Sequence, residues 1–415
     1  MIPKAIIDGT LTAISVNRLA LFCRASTGYR TMFHRQRIVG QRLASGLAKF
    51  FISVSVVAFF PVTADPLVSP FQLPDAPSAE PSILVDTLKA RPSPEMGAAK
   101  ANPIDTLMRS IVSITATIPD DARTALNLGT KRLGSGVVLD TNGLIVTAGY
   151  TIAEANAVTV TFSDDRTEPA DIVAYDEATG LGLVRVNSTL ITTPITLGTS
   201  SSVKKDQHLM VIPAAGEPEA RGVRVGKVEN FTGGWEYRVE GAIHTYPPST
   251  SFAGAALVSE KAELLGIGSL VTIDIDIDPK IRVPGNVFVP IDSLTRVLGE
   301  LIISGRSQES HKPWLGLDTK QTKNGIMVSS VIADGPADMA GIKAGDKIVA
   351  VNQDKVDGQA DMYEKIWSSH KPGDAVHLLV IRENRYNNVP VDSIDYYNWL
   401  QLDTAGDTVI SEMTE

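Results

Sequence analysis

Three side chains that could serve nucleophilic chemistry lie near one turn late in the sequence: His244, Ser249 and Ser251. The turn is SFAGAALVSE, residues 251–260, whose small residues are typical of a turn that presents one reactive side chain. A hydroxyl activated by a neighbouring imidazole performs acyl transfer. The central residue is Ala253, however, which has no atom that can attack a carbonyl. A Ser–His pair relocated to the flanking residues is the alternative.

The elements around this turn are predicted to be short β-strands. From 104 to 305, apolar runs such as SIVSITATI, AVTVTFSD and HLMVIPAAG recur between Gly, Asp and Asn turns. Strands repeating about every 8 to 12 residues predict an antiparallel sandwich or barrel. The pair Asn142-Gly143 between two such runs predicts a hairpin with positive φ at the turn.

A helix is predicted to close this domain at IDSLTRVLGELIISG, where five apolar residues fall on one face. These residues are Ile291, Leu294, Val297, Leu298 and Leu301.

A separate small α+β module is predicted over residues 312–393. Its stretch GPADMAGIKAGDKIVAVN resembles the most characteristic part of a PDZ domain, with a short helix opening at Gly335-Pro336. The order of elements resembles the permuted PDZ type that follows the protease domain in the HtrA family of serine proteases. In that family an aromatic-Leu-Gly-aliphatic loop begins the module, and PWLGL fits this pattern.

The PDZ resemblance implies a peptide-binding site. An extended peptide would add as a strand, and its carboxylate would be held by backbone N–H groups of the loop. The loop residues are Trp314, Leu315, Gly316 and Leu317. The pocket wall would come from the helix GQADMYEKIWSSH, where Met362 and Ile366 stand four apart on one face. The alternative is that Met362 and Ile366 pack the module's own core. Trp314 is expected to be exposed, or else to act as a hinge against the preceding domain.

The HtrA resemblance extends over roughly residues 104–393 and implies a trypsin-like double β-barrel before the PDZ domain. The fold class is therefore expected to be mainly β. The family's histidine segment stands here as GSGVVLDTNGLIVTAGYTI and puts Tyr150 at the histidine. Its aspartate segment, DEATGLGLVRV, puts Gly180 at the aspartate, and its nucleophile turn puts Ala253 at the serine.

This set of residues predicts loss of the acyl-transfer chemistry. Ala253 lacks a nucleophile, the Tyr150 phenol titrates near pH ~10, and Gly180 cannot orient a base. The resemblance assigns the oxyanion donors to the N–H groups of Ser251 and Ala253, and Ser251 would resist a positive φ. The expectation is a pseudoprotease, not an enzyme, that acts as a peptide- or protein-binding or scaffold protein through its PDZ domain. The alternative is an active trypsin-like endopeptidase with a rearranged site.

Other candidate residues receive structural interpretations. His208 is expected at a strand position, while Trp235 and Tyr237 are expected to be barrel aromatics. The alternating carboxylates of VTIDIDIDPK could suggest calcium, but without a Gly-centred loop they favour a solvated strand. No metal and no cofactor is predicted.

The first 64 residues form a basic head, with eight Lys or Arg and one acid, although the chain carries a formal net charge of −9. An apolar run of 13 residues, Phe50 to Val62, precedes a small-residue cleavage pattern that predicts a cut before Asp65. The head is therefore a signal peptide, starting at Met32, or an uncleaved membrane anchor. A mitochondrial presequence is the alternative. Cys23, the only cysteine, lies in this head.

The remaining segments complete the expected organisation. Residues 65–103 contain eight prolines and predict a stiff linker. Residues 394–415 form an acidic tail with no assigned structure. The acidic body argues against a nucleic-acid partner. The expected partners are C-terminal or exposed peptides of other proteins, the membrane if the head is uncleaved, and a homotrimer or a partner protease. The expected location is outside the cytoplasm, in the cell envelope or secreted.

Overall fold

The computed structural model describes residues 103–187, 193–214, 220–278 and 281–402. The basic head, its apolar run and cleavage pattern, the linker up to residue 102 and the tail beyond residue 402 lie outside the described residues. The side chains of residues 103–105, 274 and 278 are likewise outside the description.

Six antiparallel strands close into a first barrel in the order β1-β2-β3-β6-β5-β4. Its strands are β1 (Ile111–Thr117), β2 (Lys131–Val138), β3 (Leu144–Ala148), β4 (Ala157–Thr161), β5 (Thr167–Asp176) and β6 (Leu181–Val186). Short helices accompany them: α1 (Pro103–Arg109), α2 (Ala125–Leu128) and α3 (Gly149–Ile152). Val112, Ile114, Ile145 and Val184 fill the interior, and closure of the sheet leaves no unpaired edge. The predicted hairpin is present between β2 and β3, with Gly143 at φ 79°.

A second barrel follows, in which β11 pairs with both β8 and β12 and so closes the order β11-β8-β9-β10-β13-β12. Its strands are β7 (Thr196–Leu197), β8 (His208–Ile212), β9 (Arg221–Thr232), β10 (Arg238–Tyr246), β11 (Ala256–Val258), β12 (Glu263–Asp278) and β13 (Ile281–Pro290). The short β7 lies parallel to β12 at the outside of this barrel. A 3₁₀ turn, Ser200–Ser202, precedes β8.

The predicted closing helix is α4 (Ile291–Ser304), which ends where Gly305 takes a left-handed conformation. Four of its five predicted face residues are buried, and Leu298 is partly buried. Leu294 packs in one apolar cluster with Leu144 and Val146 of the first barrel and Ile212 and Val289 of the second. This shared core fixes the two barrels against each other.

The third module is a six-stranded antiparallel sheet in the order β15-β16-β17-β19-β20, in which β18 pairs with β17 off this path, and one longer helix packs over the sheet. Its strands are β14 (Pro313–Trp314), β15 (Leu317–Thr322), β16 (Gly325–Val331), β17 (Lys347–Val351), β18 (Asp354–Lys355), β19 (Ala375–Arg382) and β20 (Arg385–Asp392). Its helices are α5 (Pro336–Met339) and α6 (Gln359–Ser369), preceded by the 3₁₀ turn Gln308–Ser310. The predicted fold class, mainly β with two barrels and a small α+β module, is confirmed.

The segment after residue 393 has structure that the sequence pattern did not predict. Strand β21 (Ile394–Asp395) pairs with β14, and helix α7 (Tyr396–Leu400) follows. Asp395 caps this helix by accepting from the Tyr397 N–H at 2.8 Å. Its carboxylate also accepts twice from the guanidinium of Arg306, at 2.8 and 2.9 Å. The segment thus joins the third module to the end of α4.

Within the described residues, no helix combines the length and the apolar character that crossing a membrane would require.

Candidate functional site

The turn that carries Ala253 is fastened to both barrels. The Ala253 carbonyl accepts from the Ser135 N–H at 2.8 Å, and the Gly254 N–H donates to Gly268 at 2.8 Å. Gly254 has φ 70°, and a side chain on it would overlap the Ser135 carbonyl oxygen. The backbone therefore retains a tightly specified turn, on which residue 253 presents a methyl group.

Tyr150 lies on α3, between the barrels, and its hydroxyl donates to the carbonyl oxygen of Ser269 at 2.8 Å. Burial raises the pKa of this phenol well above its ordinary value, with a further contribution from nearby Tyr237. Tyr150 is therefore a neutral hydrogen-bond donor that ties the first barrel to β12.

Gly180 lies in a turn at φ 71°, before β6. A Cβ on it would overlap the hydroxyl of Tyr237 and come within 2.7 Å of that ring's Cζ. The Tyr237 hydroxyl itself donates to the carbonyl of Thr179 at 3.2 Å. The space that a side chain at position 180 would need is therefore occupied by an aromatic ring from the second barrel.

The three predicted positions converge on one locus. The N–H of Gly149, beside Tyr150, donates to the carbonyl of Gly180 at 2.9 Å. On the other side of α3, Thr151 lies 3.1 Å and the Ala253 carbonyl 3.3 Å from the position of a Cβ on Gly134. The sequence reasoning therefore identified residues that the fold brings together, although it did not identify Tyr237 as their neighbour.

The flanking candidates lie on well-packed backbone. His244 is 3% exposed on β10, beside the ring of Phe231. The Ser249 N–H donates to the side chain of Asn286 at 2.6 Å, and the Asn286 amide donates back to the Ser249 carbonyl. His208 is exposed at the start of β8, where its ring lies 3.2 Å from the guanidinium of Arg224.

A second site lies at the loop Trp314–Leu317. The N–H of Leu315 lies 2.9 Å, and that of Leu317 also 2.9 Å, from carboxylate oxygens of Glu236. Gly316, at φ 77°, turns the backbone between them, and its carbonyl accepts from Ile332 at 2.9 Å. The loop predicted to hold a peptide carboxylate therefore contacts a carboxylate of its own chain.

Glu236 comes from the turn that joins β9 to β10 in the second barrel. Its side chain is 1% exposed. Burial raises its pKa to about 7, while the N–H groups of Leu317 and Leu315 act in the opposite direction. Nearby Glu177 adds to the increase, and Glu177 itself lies 3.7 Å from the ammonium of Lys312.

Helix α6 contacts the same turn through Tyr363. The Tyr363 hydroxyl lies 2.8 Å from the Gly234 carbonyl oxygen and accepts from the Glu236 N–H at 3.1 Å. Its ring stacks on Trp367 at 5.0 Å. Met362 and Ile366, the predicted pocket wall, are fully buried in the core of the module. Their contact with a peptide stays a prediction.

The expected exposure of Trp314 is wrong. Trp314 is 7% exposed, because the rings of Tyr396 and Trp399 lie 5.0 and 5.2 Å from it. The covering residues come from the segment for which the sequence predicted no structure. Of the predicted barrel aromatics, Tyr237 is buried and Trp235 is half exposed, and the two rings stack at 6.0 Å.

Among the described residues, no group of three or more His, Cys, Asp or Glu side chains is placed to hold a metal ion.

Known protein families match both halves of the described structure. A model of the trypsin-like peptidase domain matches residues 134–267, and a model of the PDZ domain matches residues 313–392. The chain is HtrA-like. It combines a trypsin-like peptidase domain with a PDZ domain in the order found in HtrA proteases.

Among the relatives of this HtrA-like chain is the serine endoprotease DegS of Salmonella typhimurium, 27% identical over 287 residues, or 64% of this chain and 78% of the relative. A probable periplasmic DegP-like endoprotease of Brucella suis is 24% identical over 283 residues, or 62% of this chain and 52% of that protein. Among solved structures, the HtrA-type protease AlgW with a decapeptide is 20% identical, covers 71% of this chain and 98% of its own, and has a TM-score of 0.44.

Proposed function

We propose that this HtrA-like chain is a non-catalytic pseudoprotease that binds peptides through its PDZ domain outside the cytoplasm. The observation that carries the proposal is the filled space at the triad positions. Tyr150 is bonded to the Ser269 carbonyl, and Tyr237 occupies the space beside Gly180. Tyr150, Gly180 and Ala253 themselves supply no nucleophile, no base near neutral pH and no orienting carboxylate, which supports the proposal.

The chemistry supports this proposal. A general base works best when its pKa is near the working pH, whereas burial moves the Tyr150 phenol further from neutrality. Loss of triad members in a comparable enzyme lowers turnover by about 10⁴- to 10⁶-fold. Such a residual rate supports no useful proteolysis.

Peptide binding has independent support from the PDZ loop. N–H groups of Leu315 and Leu317 point together at a carboxylate, which is the geometry that captures a peptide C-terminus. The module can therefore recognise a carboxylate without any contribution from the barrel's former catalytic residues.

The second candidate is an active endopeptidase with a rearranged site, and the relatives named as serine proteases favour it. It would use Ser249 or Ser251 with His244. The backbone of Ser249 is held by Asn286, and His244 is buried beside Phe231. Both contacts argue for structural roles.

A fluorophosphonate probe separates the two candidates on the full-length protein. The proposal expects no covalent labelling, with or without added peptide. Labelling that disappears in Ser249→Ala or Ser251→Ala would overturn it. A labelled trypsin in the same sample shows that the probe is reactive.

The cellular setting is also proposed from the sequence and the relatives. The basic head followed by an apolar run would direct the chain out of the cytoplasm, as a signal peptide or an anchor. A periplasmic relative agrees with that location. Determining the N-terminal residue of the mature protein decides between cleavage before Asp65 and an uncleaved anchor.

Partners would be exposed peptides, a second or third copy of the chain, or a partner protease.

A further inference from the structure

One turn of the second barrel, residues 233–237, contacts the PDZ groove at the loop Trp314–Leu317, at β15 and at α6. The Gly234 carbonyl accepts from the Thr319 N–H of β15 at 2.8 Å, as the backbone of an added strand would. Two residues later, the Glu236 carboxylate accepts from Leu315 and Leu317. The turn therefore reproduces both contacts of a peptide ligand, the main-chain pairing and the terminal carboxylate.

The fit of this turn depends on its glycines and on Tyr363. A Cβ on Gly234 would overlap the carbonyl oxygen of Thr319. On the opposite wall, the Tyr363 hydroxyl lies 3.0 Å from the Gly233 carbonyl oxygen and accepts from the N–H of Glu236. Gln359 completes this wall by donating to the Thr319 carbonyl at 3.0 Å. Three residues of the turn, Gly233, Gly234 and Glu236, thus contact β15, α6 or the loop that precedes β15.

We propose that Glu236 is an internal ligand of the PDZ domain: its carboxylate fills the loop Trp314–Leu317, so that an external peptide carboxylate binds only after the turn 233–237 withdraws. The inference rests on the proposed function, peptide binding by this groove. An internal ligand competes at the effective concentration of a tethered group, which is of millimolar order for short flexible connections. Weakly binding peptides are therefore excluded.

The test measures peptide retention by immobilised full-length protein. The probe is a pool of decapeptides of random sequence ending in Val, Leu, Ile or Phe with a free carboxylate, and the same pool with C-terminal amides is the reference. Glu236→Ala should retain at least tenfold more free-acid peptide than the unchanged protein. Glu240→Ala, at an exposed residue of the same hairpin, is the matched control and should behave as the unchanged protein.

A second variant keeps the test informative if Glu236→Ala fails to fold. Gly234→Ala leaves Glu236 in place but pushes the turn away from Thr319, and it should raise retention in the same direction. Thermal melts of both variants establish that they fold. Equal retention by the unchanged protein and both folded variants would overturn the inference while peptide binding stands.

Hydrogen exchange at the loop distinguishes failure of the inference from failure of the function. The Leu315 and Leu317 amides should exchange at least tenfold faster in Glu236→Ala, because they lose their acceptor. Faster exchange without retained peptide would remove peptide binding as the function but leave Glu236 as the ligand of the loop. If these two amides exchange at an unchanged rate in folded Glu236→Ala, the proposal that Glu236 is the internal ligand is contradicted directly.

Discussion

Asp176 and Ser307 join the first barrel to the segment that leads into the PDZ domain. The N–H and the hydroxyl of Ser307 both donate to one oxygen of the Asp176 carboxylate, at 3.0 and 2.7 Å. The other oxygen accepts from the N–H and the hydroxyl of Thr179, at 3.0 and 2.7 Å. Asp176 is fully buried, so these four bonds satisfy a carboxylate that water does not reach.

Asp176→Ala should lower the free energy of unfolding by about 2 to 4 kcal/mol, because it leaves buried donors without an acceptor. Asp176→Asn should cost less, since its carbonyl oxygen still accepts. Urea unfolding measures both. Asp164→Ala, at an exposed ion pair, serves as the reference and should change stability much less than Asp176→Ala. A loss at Asp176 no larger than at Asp164 would contradict the role of this carboxylate.

Gly180→Asp should strongly destabilise the protein on its own, and it should destabilise the protein less when it is combined with Tyr237→Ala. The new side chain would overlap the Tyr237 hydroxyl, and removal of that ring makes room. A double-mutant cycle should therefore give a favourable coupling of about 1 to 3 kcal/mol. Additive losses would show that Tyr237 does not fill this space.

Restoration of the triad should follow the same rule. The variant with Tyr150→His, Gly180→Asp and Ala253→Ser should recover peptide cleavage, measured on unfolded casein, only when Tyr237→Ala is added. The variant with Tyr150→His, Gly180→Asp and Tyr237→Ala, but with Ala253 kept, is the control for contaminating protease. Recovery of cleavage without the change at Tyr237 would show that the carboxylate introduced by Gly180→Asp does not need the space that the Tyr237 ring occupies.

The stability of the protein should depend on pH through Glu236. Its pKa is about 7 in the folded chain against an ordinary value of 4.5. Between these values the folded chain holds a proton that the unfolded chain has lost, so this contribution is complete below pH 4.5 and falls as pH rises through 7. Glu177, which raises the Glu236 pKa, its partner Lys312, and Tyr363, whose hydroxyl accepts from the Glu236 N–H, are kept unchanged in the variants compared below.

Unfolding of the unchanged protein and Glu236→Gln from pH 4.5 to 8 measures this dependence. The unchanged protein should lose on the order of 3 kcal/mol relative to the Gln variant across that range. Glu240→Gln should leave the profile of the unchanged protein as it is. Parallel profiles for the unchanged protein and Glu236→Gln would show that Glu236 titrates as an ordinary exposed carboxyl.

Asp395→Ala should release the C-terminal helix α7. The change removes the helix cap and the paired contact with Arg306 together. Limited chymotrypsin digestion should then cleave near Tyr396 and Tyr397 faster than in the unchanged protein. Asp392→Ala, at an exposed residue of β20, is the matched control. Equal cleavage rates would show that ring packing alone holds the helix.

Local patterns predicted the parts of the fold in which neighbours along the sequence decide the structure. The apolar alternation of the barrels, the face of α4 and the span of α6 all depend on residues a few positions apart. The resemblance to the HtrA family likewise placed Tyr150, Gly180 and Ala253 around one locus.

Contacts between segments that are distant in the sequence could not be predicted from local patterns. Glu236 reaches Leu315 across 79 residues, and nothing in the stretch GGWEY indicates a partner. Helical periodicity grouped Met362 with Ile366 correctly, but it could not show that this face packs inward and that Tyr363 meets the turn. The predicted exposure of Trp314 is wrong for the same reason, because the rings that cover it come from residues 396–399.

Because Glu236 occupies the loop Trp314–Leu317, an outside peptide would bind only above a threshold concentration. If the turn 233–237 closes the groove 99% of the time, the apparent affinity for an outside peptide falls about 100-fold below its intrinsic value. Peptide C-termini at low concentration would then bind little of the protein, and only a large rise in their concentration would produce substantial binding. Exchange of a single side chain at position 236 would then reset that threshold without altering the groove itself.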